Sequence, residues 1–484
     1  MVEWEKTIGL AGCAMEKEIP LYQMIYNKLV NRILLGLYPK GYRLSSVEKI
    51  RERFGVGYTS IRRALRLLHQ EGFIRLEERR RPVVIFDAEE PRGQALRQRV
   101  FLSRRQAHLD CYRAIPCLIP GLAVMGARRC GPRTLEALEV LCSQPEELLT
   151  CRADLFTLAY AWLALVVRQA DSALADDLFL QIRGFDDLRF LLMPREELVP
   201  GEAEAALLIL RHWTDLLRRE QWDDLHTLVS VFCWRAVGDL ERSFAALDGG
   251  EAVRPVEFRW YVRQLPAPLY QKIAWDLLRT AYLEGMEPGT CFPSEAALME
   301  RYGVAVVTVR GALALLNSLG AAQTVNGVGT LLTGAPARGE IGDFLRESRE
   351  SLEILTGCGQ ALAAVAAPRL SWGEREALRA GAVDYRCRPG LLLWLLRRLA
   401  EAVRSQALEK VLEQLEVRCI FGLYLRGLPG SPEQRQYAED LFRRASDCLA
   451  FLEAGDADAF ARRFGQLCRE AWEGARERLT PEEN

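Results

Sequence analysis

Residues 55–86, GVGYTSIRRALRLLHQEGFIRLEERRRPVVIF, read as a turn, a helix and two short strands joined by an arginine-rich tip. After the turn at Gly55, Val56 and Gly57, apolar residues recur at Ile61, Ala64, Leu65 and Leu68, the spacing that seats one helical face on a core. The opposite face carries Tyr58, Thr59, Arg62, Arg63 and Arg66. Three cations and two hydrogen-bonding side chains toward the N-terminal end of a helix suit a major groove, where arginine grips a guanine edge or neighbouring phosphates. Gly72 stops the helix, and Phe73-Ile74 and Val83-Val84-Ile85 have strand composition. Between them lie Arg79, Arg80, Arg81 and Pro82. With a second short helix expected at 46–54, the pattern predicts a winged helix-turn-helix.

Working outward, the same pattern returns. PLYQ stands at 20–23 and again at 268–271, an offset of 248. At that offset Gly55-Val56 meets Gly303-Val304, Arg62 meets Arg310, Ala64-Leu65 meets Ala312-Leu313, and Gly72 meets Gly320. The repeat continues beyond the wing: at an offset of 240, Arg129 meets Arg369 and Glu136-Ala137-Leu138 meets Glu376-Ala377-Leu378. A self-similar chain of this kind is a duplicated two-part unit. The expected fold is mostly α, with winged helix-turn-helix domains at 18–87 and 266–334. Each is followed by a helical segment, at 95–247 and 340–480. Helices are predicted at 104–115, 121–129, 132–142, 155–169, 202–219 and 222–240 in the first copy, and at 341–366, 372–382, 391–405, 407–425, 432–454 and 457–479 in the second. Linkers are expected at 87–93, 248–255 and 334–339.

The totals fit several domains, since 484 residues exceed the roughly 250–300 that one core supports. Apolar residues make up 49% and charged residues 27%, with a net charge of −1, so a DNA-binding surface must be local. The N-terminus MVEWEKTIGLAG lacks the apolar core of a secretory signal, and the apolar runs 114–127 and 155–167 are too short for a membrane span. The expected location is the cytoplasm, with no membrane partner. Thirteen cysteines without a CxxC pair point to reduced, mostly buried thiols.

PLYQ, a Gly/Pro turn, a second helix, G-V-x-x-x-T/S-V/I-R-x-A-L and a wing resemble the DNA-binding domain of the GntR family of bacterial transcription regulators. The helical segments resemble the ligand-sensing domain of its fatty-acid-regulator branch, chiefly through ALAAVAAPRLSWGEREALRA (361–380) and CLAFLEAGDADAF (448–460). The resemblance implies a dimeric protein on palindromic double-stranded DNA whose grip changes when a small acid or acyl thioester binds the helical domain. This chain departs from the pattern. The family's second helix begins P-S-E-R, and the arginine position holds Glu48 in one copy and Ala296 in the other. A second customary arginine is replaced by Tyr58 and Val306, so that Arg62 and Arg310 alone match the third.

Charge separates the copies. Residues 20–86 hold 14 Lys/Arg against 5 Asp/Glu, and residues 268–334 hold 4 against 5. The second recognition helix shows Val306, Val307, Arg310, Gly311 and Ala314, while its wing keeps the family's Gly-x-Gly-Thr turn at Gly327–Thr330. Copy one is therefore expected to read DNA, through Tyr58, Thr59, Arg62, Arg63, Arg66, Arg79, Arg80 and Arg81, with Arg310 the one candidate in copy two. Copy two reads as a scaffold or pairing domain, and the copies as an intramolecular pseudo-dimer or part of a homodimer. The alternative is a protein-interaction or ligand-sensing module that has lost DNA binding. Many relatives hold a metal through an aspartate and three histidines. Here His212 lies eleven residues before Asp223, the equivalent in copy two is Ala445, and no Asp-x-x-x-His is present, so neither metal nor cofactor is expected. No G-x-S-x-G, P-loop or H-E-x-x-H motif points to an enzyme.

Overall fold

The computed structural model describes residues 20–34, 36–54, 56–77, 80–88, 90–103, 105–146, 149, 152–186, 198–246, 260, 267–333, 342–386, 390–426 and 432–479. The chain opens with α1 (Leu21–Leu34), α2 (Val47–Phe54), α3 (Tyr58–Gln70) and an antiparallel hairpin, β1 (Ile74–Arg75) and β2 (Val83–Val84). Seven helices among the described residues follow: α4 (Pro91–Ser103), α5 (Arg105–Ala127), α6 (Pro132–Cys142), α7 (Arg152–Val167), α8 (Ala173–Asp186), α9 (Glu202–Arg218) and α10 (Trp222–Ala246). The pattern then restarts with α11 (Leu269–Leu283), α12 (Glu295–Tyr302), α13 (Val306–Ser318), β3 (Ala322–Val325) and β4 (Gly329–Leu332). It closes with α14 (Gly342–Ala366), α15 (Trp372–Asp384), α16 (Leu391–Val403), α17 (Gln406–Arg426), α18 (Pro432–Glu453) and α19 (Ala457–Leu479).

The repeat holds down to single hydrogen bonds. α3 buries Ile61, Ala64, Leu65 and Leu68 against α1, and α13 buries Val309, Ala312, Leu313 and Leu316 against α11. Ser46 and Ser294 each cap the second helix, accepting from Lys49 N–H at 3.3 Å and Ala297 N–H at 3.2 Å. In one wing Leu44 N–H donates to the Pro82 carbonyl at 2.9 Å, and in the other Phe292 N–H donates to Thr330 at 2.8 Å. Ile74 pairs with Val84 and Ala322 with Leu332, the same register 248 residues apart. Gly72 (φ 78°) and Gly320 (φ 71°) turn the chain out of the recognition helices through the left-handed region that glycine tolerates.

The helical remainder differs from expectation in three places. α5 is one helix, where the sequence predicts two at 104–115 and 121–129. A helix-interior proline costs about 3 kcal/mol, but Pro116 and Pro120 sit in a segment buried on α10, α14 and α7, and that burial offsets the lost backbone bonds. α4 occupies part of the expected linker at 87–93, starting on Pro91, a residue suited to a first helical position. α8 was not predicted at all. The other two expected linkers, 248–255 and 334–339, lie outside the described residues. By length and hydropathy α5 could cross a bilayer, yet 78% of its apolar window is buried within the protein, as in a core helix.

α5 and α14, equivalent at the 240 offset, pack directly on each other. A Cβ on Gly121 would lie 2.5 Å from the Gly357 carbonyl oxygen, so this crossing requires glycine. The flanking contacts are reciprocal. Glu350 of α14 accepts from Leu174 N–H at 2.8 Å and from the Ser172 hydroxyl at 3.1 Å, capping α8. Asp110 of α5, 240 residues earlier, accepts from Gln406 N–H at 3.0 Å and Ala407 N–H at 2.7 Å, capping α17. Carboxylates at helix N-termini satisfy orphan donors and favour the dipole.

Candidate nucleic-acid interface

Most of the residues singled out in the sequence are exposed on α3 and the wing of the first winged helix. Tyr58 is 42% exposed and Thr59, Arg62, Arg63 and Arg66 are exposed, because the stripe from Ile61 to Leu68 faces inward. The Arg51 guanidinium of α2 lies 5.2 Å from the Tyr58 ring centroid, and the Arg63 guanidinium lies 3.8 Å from that of Tyr22 on α1. Stacking of this kind orients a cation while leaving its N–H edge able to donate. Arg62 and Arg66 form no ion pair with any described residue. In the wing, Arg80 is exposed and lies 3.3 Å from Glu77, which also accepts from Arg75 at 2.9 Å. Arg81 is exposed, and Arg79 lies outside the described residues.

The equivalent surface of copy two has another chemistry. Arg310 is clamped by Glu295, its Nε donating to the two carboxylate oxygens at 3.1 and 3.0 Å and its Nη2 lying 3.0 Å from Oε2. The rest of that face is apolar, with Val307 73% and wing Val328 62% exposed, and Gly311 packs closely on Tyr270. Sequence reading missed Arg51, Tyr22 and Glu295. The signal was present, since Val47 stands 248 residues before Glu295, at the first helical position of α2.

This second domain is fastened to the helical bundle. Arg279 of α11 donates to buried Glu416 of α17 at 3.1 Å and lies 3.6 Å from Asp276, which also accepts from Arg301 at 3.1 Å and from the Tyr302 hydroxyl at 2.7 Å. The Tyr424 hydroxyl donates to the Thr333 carbonyl at 2.7 Å. His212 is exposed on α9, and among the described residues no group of three or more His, Cys, Asp or Glu lies close enough to hold a metal.

Two winged helix-turn-helix domains, one with a basic recognition face, define a DNA-binding regulator. Residues 21–84 and 269–332 each match the bacterial regulatory proteins of the gntR family. The chain is a DNA-binding transcription regulator that carries the domain of the gntR family, a family of regulators, twice. Similar solved structures include McbR/YncC of E. coli, 13% identical, covering 47% of this chain and 100% of that one with a TM-score of 0.24. A GntR protein of Streptococcus agalactiae is 16% identical over 42% of this chain and 99% of that one, with a TM-score of 0.20. A putative GntR regulator from Rhodococcus sp. RHA1 is 16% identical over 47% and 99%, with a TM-score of 0.26. No curated protein matches the chain.

Proposed function

We propose that the first winged helix is the main DNA reader of a ligand-responsive cytoplasmic regulator, and that the second is a scaffold. The observation that carries this reading is the contrast between equivalent arginines: Arg62 forms no ion pair among the described residues, whereas Arg310 is held by Glu295. Phosphate neutralisation supplies much of the affinity for DNA, so the basic surplus of residues 20–86 over residues 268–334 points the same way. α3 would enter the major groove, with Arg62, Arg63 and Tyr58 on bases or nearby phosphates and Thr59 and Arg66 on the backbone. Arg79, Arg80 and Arg81 would meet phosphates or a minor groove. The anchoring of α11 by Glu416 supports a scaffold role for copy two. The reciprocal caps, Glu350 of α14 on α8 and Asp110 of α5 on α17, support an intramolecular pseudo-dimer in place of a homodimer, with domains divided at 18–87, 95–247, 266–334 and 340–480. A small-molecule effector would act through the helical pair.

The test is fluorescence anisotropy with DNA from the protein's own upstream region, over a salt series, for the parent, Arg62→Ala and Arg310→Ala. Expected are a steep salt dependence and a loss of binding with Arg62→Ala alone. Glu48 in place of the family's arginine, with the exposed valines of copy two, favours a second reading as a protein-interaction module. Absence of all DNA binding at low salt would establish that reading instead.

A further inference from the structure

We infer that Arg51 of α2 is a further DNA contact of the first winged helix, seated on the ring of Tyr58 and directed at a backbone phosphate beside the groove that α3 enters; this rests on the reading of copy one as the reader. α2 turns Ile50 into the core, with Val47 half-buried one turn before it, and so leaves Arg51 exposed. The Arg51 guanidinium lies 5.2 Å from the ring centroid of Tyr58, the first residue of α3. Arg51 therefore stands at the N-terminal end of the recognition helix although it belongs to another element. In a helix-turn-helix the recognition helix lies in the major groove while the helix before it crosses the backbone, so a cation at their junction meets phosphate. Exposed arginines are common, and the ring is what distinguishes this one. It covers one face of the guanidinium and restricts a long side chain, while the N–H edge stays open to a phosphate fork. Arg51 forms no ion pair with any described residue, Glu48 on the turn before it included. Copy two lacks the whole device. At the 248 offset Met299 stands for Arg51 and Val306 for Tyr58, both half-buried and neither able to carry or orient a charge. The other guanidinium–ring contact, Arg63 on Tyr22 at 3.8 Å, is also confined to copy one, since Gly311 replaces Arg63.

The experiment measures DNA binding by the full-length protein over a salt series, on DNA from its own upstream region and on an unrelated duplex. The variants are Arg51→Ala, Arg51→Lys, Tyr58→Ala, and Arg51→Ala with Tyr58→Ala. Both side chains are exposed, so no substitution empties the core, and equal thermal midpoints check this. Arg51→Ala is expected to weaken binding about 3- to 10-fold near ~0.1 M salt on both DNAs and to make the salt slope shallower by about 1, the loss of one phosphate contact. Arg51→Lys keeps the charge and should keep the slope of the parent. Tyr58→Ala is expected to weaken binding at least about 2-fold more in the parent than in the Arg51→Ala protein, where the cation it orients is gone. Three results overturn the inference while leaving copy one as the reader: affinity and slope unchanged by Arg51→Ala, a loss confined to the upstream DNA, or equal weakening by Tyr58→Ala with and without Arg51. An Arg62→Ala protein that binds DNA as the parent does overturns the reading of copy one itself.

Discussion

His226 is the residue whose titration has a clear sign. Burial pushes its imidazole down to about 4, with Asp223 pulling it up and Arg469 adding to the drop, and its Nε2 is buried without a hydrogen-bond partner among the described residues. The folded protein therefore holds His226 neutral where the unfolded chain, titrating near 6.5, takes a proton. Stability is whole above that range and falls as pH drops from about 6.5 toward 4, by on the order of 2–3 kcal/mol. Thermal unfolding across that window should show the fall, and His226→Phe should flatten it. A second prediction concerns Arg279 and Glu416. Glu416→Ala leaves a largely buried guanidinium without its main partner and is expected to cost about 3–5 kcal/mol, whereas Arg279→Met with Glu416→Leu should cost far less. Denaturant midpoints for the two proteins decide it. Neither residue stands out in the sequence, since a charge on a helix is usually solvated and only packing shows which ones are enclosed.

At the scale of elements, the crossing of α5 and α14 is set by glycine. Gly121→Ala would drive a methyl group into the backbone of Gly357, which cannot swing aside as a side chain would, and is expected to destabilise by about 1–3 kcal/mol or more. Gly238→Ala on α10 meets only the tip of Arg242 at 3.5 Å and should instead stabilise by up to about 1 kcal/mol. Chemical unfolding of the two variants should give opposite signs. The recognition helix, its inward stripe and the short hairpin were legible because Ile61, Ala64, Leu65 and Leu68 follow one period and Gly72 ends it. α5 was legible only as two pieces, because Pro116 and Pro120 carry a local penalty that tertiary burial outweighs. α8 was missed altogether.

For the whole molecule, the reciprocal caps predict how the halves depend on each other. Asp110→Ala strips a carboxylate from two backbone donors of α17, and Glu350→Ala strips one from Leu174 N–H and the Ser172 hydroxyl of α8. Each is expected to cost about 1–3 kcal/mol, and unfolding should remain a single transition if the helical halves form one cooperative unit. Two resolved transitions would count against the pseudo-dimer. That arrangement also predicts that the 54.7 kDa chain sediments as a monomer at micromolar concentration.

By itself the sequence determined the duplication, the two winged helix-turn-helix domains and the residues on the first recognition face. Those features are local: periodicity, capping serines, glycines with positive φ and charge counts all act within a few turns of the chain. Tertiary structure alone decided that α5 runs through its prolines, that Glu350 and Asp110 cap each other's halves, and that Arg310 is spent on Glu295. Each of these depends on a partner that lies far away in the chain or on another helix, where burial and hydrogen-bond geometry override local preference.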